Sequence, residues 1–259
     1  MAAEERTPAI VLRTRDYSES DRIVTLLTRD MGKLSGIARG AKASRRRFAG
    51  KLEPFSHLML YFRRRPLGHL VFITRAEAAD LAPIVLDDDL GKIALGSYML
   101  ELTDALASEE SEAAEAYRIL SAALLALGEA GPRAALRQAF ELRLLGWAGF
   151  GLEFDRCRLC AAPSAGAAMR LYFVIARGGV VCARCRGEAP EGGFPISPAS
   201  AAALARIGAT PLEAASSADP AGADGALSLA RFIGSIVDRR LKSVEFLDSV
   251  MPSGGGAPR

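Results

Sequence analysis

Only two histidines, His57 and His69, occur in the 259 residues, and neither belongs to an H-E-x-x-H run. Zinc-hydrolase chemistry of that type therefore lacks its ligands. No G-x-x-x-x-G-K-[ST] loop is present to cradle a nucleotide, and no acidic cluster is arranged to hold two metal ions. These absences argue against an enzyme. Nor is there an uninterrupted apolar run near the roughly 18 to 20 residues that a membrane span needs. Met1-Ala2-Ala3-Glu4-Glu5-Arg6 places acids where an export signal carries positive charge. A cytoplasmic protein with no membrane contact is the expectation. Half the residues are hydrophobic and 24% are charged, a composition that folds.

Five short β-forming segments occupy the first 80 residues: Ala9 to Arg15, Asp21 to Thr28, Lys33 to Arg39, Pro54 to Phe62 and His69 to Arg75. Asp30-Met31-Gly32 and Pro66-Leu67-Gly68 supply turns, and Gly36 marks a weak point or bend in the third strand. With no helical periodicity among them, the segments suit a small closed barrel such as the OB-fold. From Ala76 the texture becomes rich in Ala, Leu and Glu. Helices are expected over about Ile84 to Ala107, Glu112 to Ala130 and Pro132 to Gly149. A short helix follows at Pro198 to Ile207, and an amphipathic one at Ala226 to Arg240. Ala214 to Asp224 has linker composition and is expected to be mobile. The fold class is thus α+β and multidomain. An OB-fold spans residues 1–80, an all-α helical domain 81–150, a loop-rich zinc-binding insert 151–195, and C-terminal helices packing on the helical domain 196–259, with a disordered tail.

Charge is unevenly placed along this plan. Between Lys33 and Arg65 stand ten Lys and Arg against one acid, Glu53, so this stretch is +9 and leaves −6 for the rest of a chain whose net charge is +3. Concentrated single-sign potential is the footprint of a polyanion binder. The candidate DNA-binding residues are Lys33, Arg39, Lys42, Arg45, Arg46, Arg47, Lys51, Arg63, Arg64 and Arg65. Most fall in the glycine-bounded loop Gly40 to Lys51, which can follow a phosphate backbone in a sequence-tolerant, salt-sensitive way. Single strands also need stacking platforms, and Phe48 is the aromatic expected to be exposed there, beside Tyr17, Phe55, Tyr61 and Phe62. The acidic stretch Asp87 to Glu115 reads as a solvated face.

All four cysteines lie in the insert, as Cys157-x-x-Cys160 and Cys182-x-x-Cys185 with 21 residues between the pairs. Two such knuckles turn four soft thiolates toward one ion, and four-coordinate zinc is the metal that suits them. With both histidines in the barrel region the ligand set is all cysteine, and a closed shell leaves no open position for water or substrate. A structural role follows. An iron–sulfur cluster takes the same ligands. Disulfides are disfavoured in a reducing compartment, and a thioredoxin-like motif lacks its βαβ setting. Arg156, Arg158, Arg184 and Arg186 flank the thiolates, where they offset their charge or touch a phosphate.

Several short stretches, in this order along nearly the whole chain, resemble the bacterial RecO family. They are Ala9 to Arg13, Tyr17 to Val24, Gly32-Lys33, Ala38 to Ala41, Leu52 to Phe55, the paired cysteines, and Arg239 to Leu247, where relatives often carry Pro in place of Arg240. The resemblance implies a recombination mediator in DNA repair that binds single- and double-stranded DNA and anneals complementary strands. It also implies that, with RecR, the chain helps load recombinase onto strands coated by single-stranded DNA-binding protein, whose C-terminal tail is a further partner. A nucleoid-associated location in the cytoplasm accompanies that role. The other reading open to the sequence is a zinc-ribbon and OB-fold adaptor that binds RNA in transcription or translation.

Overall fold

In the computed structural model, residues 3–44, 47–48, 50–65, 69–79, 89–109, 113–164, 170–189 and 193–251 are described. Five strands open the chain: β1 (Glu5–Asp16), β2 (Arg22–Thr28), β3 (Gly32–Ala38), β4 (His57–Arg63) and β5 (Leu70–Ala78). They close into a barrel in the order β1-β2-β3-β5-β4, with β4 returning to β1 and only the β3–β5 pair parallel. This is the OB-like barrel expected of five short strands. Inward positions follow the two-residue strand period: Ala9 and Val11, Val24 and Leu26, Leu58, Leu60 and Phe62, and Val71 and Ile73 fill the core. Gly36 belongs to the inward set because there is no room for more. A Cβ there would stand 2.7 Å from Ile73 Cγ1 and 2.9 Å from Val71 Cγ2. The register slips instead between Val11 and Arg13 and between Tyr61 and Phe62.

Helices α1 (Leu90–Leu106), α2 (Ala114–Ala130) and α3 (Ala134–Trp147) follow. The chain then forms β6 (Leu171–Val174), β7 (Gly179–Cys182) and β8 (Phe194–Ile196), and ends in α4 (Pro198–Ala209), α5 (Leu212–Ala215), α6 (Ala223–Ile236) and α7 (Lys242–Val250). Two compact units result, one of Met1–Asp87 with Gly96–Gly128, the other of Asp88–Leu95 with Glu129–Arg259. In the first unit, Tyr98, Met99, Leu102, Ala116, Leu120, Leu124 and Leu127 are buried at helical spacing. The ring of Phe55 lies where a Cβ on Gly96 of α1 would meet it at 2.8 Å. In the second, α3 buries Ala135, Leu136, Ala139, Phe140, Leu144 and Leu145. Ser197 caps α4 by accepting from the Ser200 N–H at 3.1 Å, with Pro198 as the first helical residue.

Two expectations change here. The insert is not merely loop: β6 is the middle strand of a three-stranded antiparallel sheet, and its Phe173 is fully buried, stacked on Phe154 at 5.7 Å. The segment Ala214 to Asp224 is packed rather than a free linker. Ala215 and Ala221 are buried, and Gln138 holds both the N–H (2.9 Å) and the C=O (3.2 Å) of Ala221. Alanine-rich composition suits close packing as well as it suits a linker, which is why it misleads. No helix among the described residues is long and apolar enough to cross a membrane.

Candidate nucleic-acid interface and metal centre

The barrel sorts its basic residues by the carboxylates and carbonyls within reach. Lys33 is drawn inward, donating to the Asp104 carbonyl at 2.7 Å and pairing with its carboxylate at 3.5 Å. Arg64 pairs with Glu5 at 3.2 Å, and Lys42 with Asp16 at 2.9 Å while also donating to Ser18 O. Lys51 donates to Ala76 O at 3.2 Å. Arg45 and Arg46 lie outside the described residues, as does the turn Pro66 to Gly68. Arg39, Arg47, Arg63 and Arg65 are exposed, with no carboxylate partner among the described residues. Arg65, with Lys33, Arg64, His69 and Glu109, lines a polar cleft of about 210 Å³ over the β3–β5 pair.

The described residues of the loop between β3 and β4 are fastened to the barrel at Lys42, Arg47, Phe48 and Lys51. Phe48, expected as an exposed stacking residue, is 1% exposed and sits in the barrel core with Leu52. An aromatic between glycines and arginines reads as a stacking platform in sequence, but burying its ring is worth more than leaving it in water. The Arg47 guanidinium covers that ring at 5.1 Å, and the Arg47 carbonyl accepts from the Ala76 N–H. Phe62 is likewise core, whereas Tyr17 is 62% exposed.

Strand register assembles a surface that the linear charge count does not contain. Arg15 pairs with Ile23, Ile23 with Ile37, Ile37 with Phe72, and Phe72 with Arg63, so one row crosses five strands on the outside of the barrel. None of these residues belongs to the interior core cluster. Arg39 lies over the Phe72 ring at 5.7 Å. Ile23 and Ile37 are themselves buried, so what the row offers a polynucleotide strand is the exposed guanidiniums of Arg15 and Arg63 and, with Arg39 over it, the half-buried Phe72 ring: phosphates meet the cations and bases meet the ring. Arg15 was missed because it precedes the basic stretch. Simple alternation from the inward Ala9 and Val11 would have pointed it inward as well; the register slip between Val11 and Arg13 is what turns Arg13 and Arg15 to the outward face.

In the second unit the four sulfurs lie within 4.8 Å of one another, and Cys160 and Cys182 are 3.8 Å apart. Tetrahedral coordination at a zinc–sulfur distance of about 2.3 Å separates sulfurs by about 3.8 Å, so the spacing fits. All four cysteines are free of disulfides, with Cys160 exposed and the others buried. The first knuckle turns through Ala161, whose φ is +56°, and the second closes with the Cys185 N–H on the Cys182 carbonyl at 3.0 Å. Gly179 lets the strands come together, since a Cβ there would stand 2.5 Å from the Glu153 carbonyl. Burial opposes ionisation of the Cys157 thiol, but N–H donors from Cys160, Cys182 and Leu159 outweigh it and bring the thiol down to about 6. Cys185 is pushed up to about 12, chiefly by Cys160 and by burial. Four crowded sulfurs cannot all ionise without a cation among them, and a divalent metal is the group that makes the set self-consistent. Cys157, Cys160, Cys182 and Cys185 are therefore the residues that could hold it.

A closed five-stranded barrel with a cationic outer row, followed by helices and a four-thiolate centre, defines a class of OB-fold proteins with a metal-binding module. Comparison with known proteins specifies it further. The family described as "Recombination protein O N terminal" matches residues 1–82, and "Recombination protein O C terminal" matches residues 87–245. Proteins named DNA repair protein RecO are similar over nearly the full length. The one from Anaeromyxobacter dehalogenans (strain 2CP-C) is 40% identical over 95% of this chain and 97% of its own. That from Myxococcus xanthus is 39% identical over 93% and 96%, and that from Syntrophus aciditrophicus 33% identical over 97% and 98%. The chain belongs to the RecO family, the recombination mediators of DNA repair.

Proposed function

We propose that the chain binds single-stranded DNA along the outer row of the barrel, also binds double-stranded DNA, and anneals complementary strands without covalent chemistry. The observation that carries this reading is the row itself, Arg15, Ile23, Ile37, Phe72 and Arg63, with Arg39 over the ring. Cations neutralise phosphates and release their counterions, which lowers the repulsion between two strands brought together. No nucleophile or general base is needed, so the protein is not an enzyme in this reading. The metal is zinc, and it stabilises the insert without meeting substrate. With RecR, and through the C-terminal tail of single-stranded DNA-binding protein, the chain helps load recombinase onto coated strands in the nucleoid-associated cytoplasm.

The test is annealing of complementary oligonucleotides coated with single-stranded DNA-binding protein, without nucleotide, by wild type and by Arg15→Ala/Arg39→Ala/Arg63→Ala. Wild type accelerates annealing and the variant loses the acceleration. Losing three phosphate contacts also lowers the magnitude of the salt slope by about 2, at roughly 0.7 per contact on single strands. Acceleration kept in the variant places the DNA surface elsewhere, and a preference for RNA over DNA favours the adaptor reading.

A further inference from the structure

Between Arg156 and Arg186 the chain carries six Arg and no Asp, Glu or Lys. A divalent cation held by four thiolates has a net charge of about −2, and Glu153, Asp155, Glu188 and Glu191 flank the run, so positive charge is concentrated between Arg156 and Arg186 rather than carried by the module as a whole. Balancing the metal centre needs fewer cations than are present. Arg158 has a structural task, donating to the carbonyls of Gly151 (2.7 Å) and Gly178 (3.2 Å). Arg170, Arg184 and Arg186 are exposed and have no carboxylate partner among the described residues.

Sheet pairing and one ring contact place these three at the same end of the β6–β7 pair. Arg170 immediately precedes β6, and its carbonyl accepts from the Ala183 N–H at 3.0 Å, which continues the β6–β7 ladder by one pair and sets Arg184 next to it. Strand alternation puts Arg170 on the same face as Tyr172. The Arg186 guanidinium lies over the half-buried Tyr172 ring at 4.0 Å. Guanidiniums on a rigid sheet and knuckle are pre-set for phosphate oxygens, and a tyrosine already stacked on one face by a guanidinium offers the mixed ionic and stacking contact that a single strand takes. Exposed guanidiniums beside a tyrosine ring make a mixed ionic and stacking surface, which suits a polynucleotide better than an acidic peptide carrying hydrophobic anchors.

We infer that Arg170, Tyr172, Arg184 and Arg186 form a second single-strand contact surface, distinct from the barrel row and carried by the metal module. The inference rests on the proposal that the barrel binds DNA and adds what annealing requires, a place for the second strand. Holding two strands on one chain replaces a bimolecular encounter by one at high effective concentration.

The experiment uses the full-length, metal-loaded protein and two non-complementary oligonucleotides, one bearing a fluorescence donor and the other an acceptor. Energy transfer reports both strands on the same particle. Wild type gives transfer; Arg170→Gln/Arg184→Gln/Arg186→Gln loses it while still binding one oligonucleotide, and the corresponding triple Lys variant, which keeps the charges, retains it. Metal content is measured on each sample and equals that of wild type. Transfer kept by the Gln variant, or lost in both variants, overturns the inference. So does a wild type that binds one oligonucleotide and never two, which leaves the barrel proposal standing. A wild type that binds neither overturns both.

Discussion

Lowering the pH from 7 to 4 should destabilise this protein by about 3 kcal/mol through a single side chain, His57. His57 sits on β4 opposite Ile10, and both ring nitrogens are sealed from solvent without a hydrogen-bond partner among the described residues. Its ring centroid is 6.4 Å from that of Tyr117, whose hydroxyl is also buried, with no partner among the described residues. Burial pushes the imidazole from 6.5 down to about 4. The folded state thus holds the neutral ring, whereas the unfolded chain takes up a proton below pH 6.5. Stability from this group is complete above pH 6.5 and falls as the pH drops toward 4. At about 1.36 kcal/mol per pKa unit, a displacement of about 2.5 units amounts to about 3 kcal/mol. Carboxylates titrate in the same range, so the measurement is a difference: urea unfolding of wild type and His57→Leu, followed by barrel-unit signals at pH 7, 5.5 and 4. The variant should gain on wild type by about 3 kcal/mol across that range, and at pH 7 it should already be at least as stable, since two unsatisfied polar atoms are gone. A gap between the two proteins that stays constant with pH would refute the reasoning.

Replacing Gly36 by Ala forces a methyl against Ile73 and Val71 inside the barrel, and should cost about 1–3 kcal/mol in denaturant unfolding, without affecting metal content. Gln138→Ala leaves the buried N–H and C=O of Ala221 without partners and should cost about 2–4 kcal/mol, with earlier hydrogen exchange at Ala221. Freshly purified protein should contain one zinc per chain by elemental analysis. Cys182→Ser should contain none and should be cut by protease within the insert, whereas wild type is cut there only after chelation.

How much of this was legible beforehand depends on the range of the interaction. Each barrel strand was readable because a short run rich in Val, Ile, Leu, Thr or Phe stands between turn residues, and the four cysteines because their spacing is itself the chemistry. The sheet of the insert was hidden: β6, β7 and β8 are three or four residues each, too short to show a period. α7 was missed as well. It is nine residues long with one fully buried anchor, Leu247, and lies in a stretch the sequence reading used only for the family resemblance.

Charge density located the barrel as the basic element but did not select which cations remain free. Lys33 and Arg64 are close in sequence to Arg39 and Arg63 and look equivalent to them. Asp104 lies 71 residues from Lys33, and Glu5 lies 59 residues from Arg64, yet these acids take up their charges. Arg63 and Arg64 differ further through the pleat: Arg63 aligns with Phe72 on the outer row, while Arg64, one residue on, follows the end of β4. A one-residue change of phase therefore separates a cation on the row from one held by Glu5. Truncating Arg63 should weaken single-strand binding and truncating Arg64 should not, a contrast that total charge cannot produce.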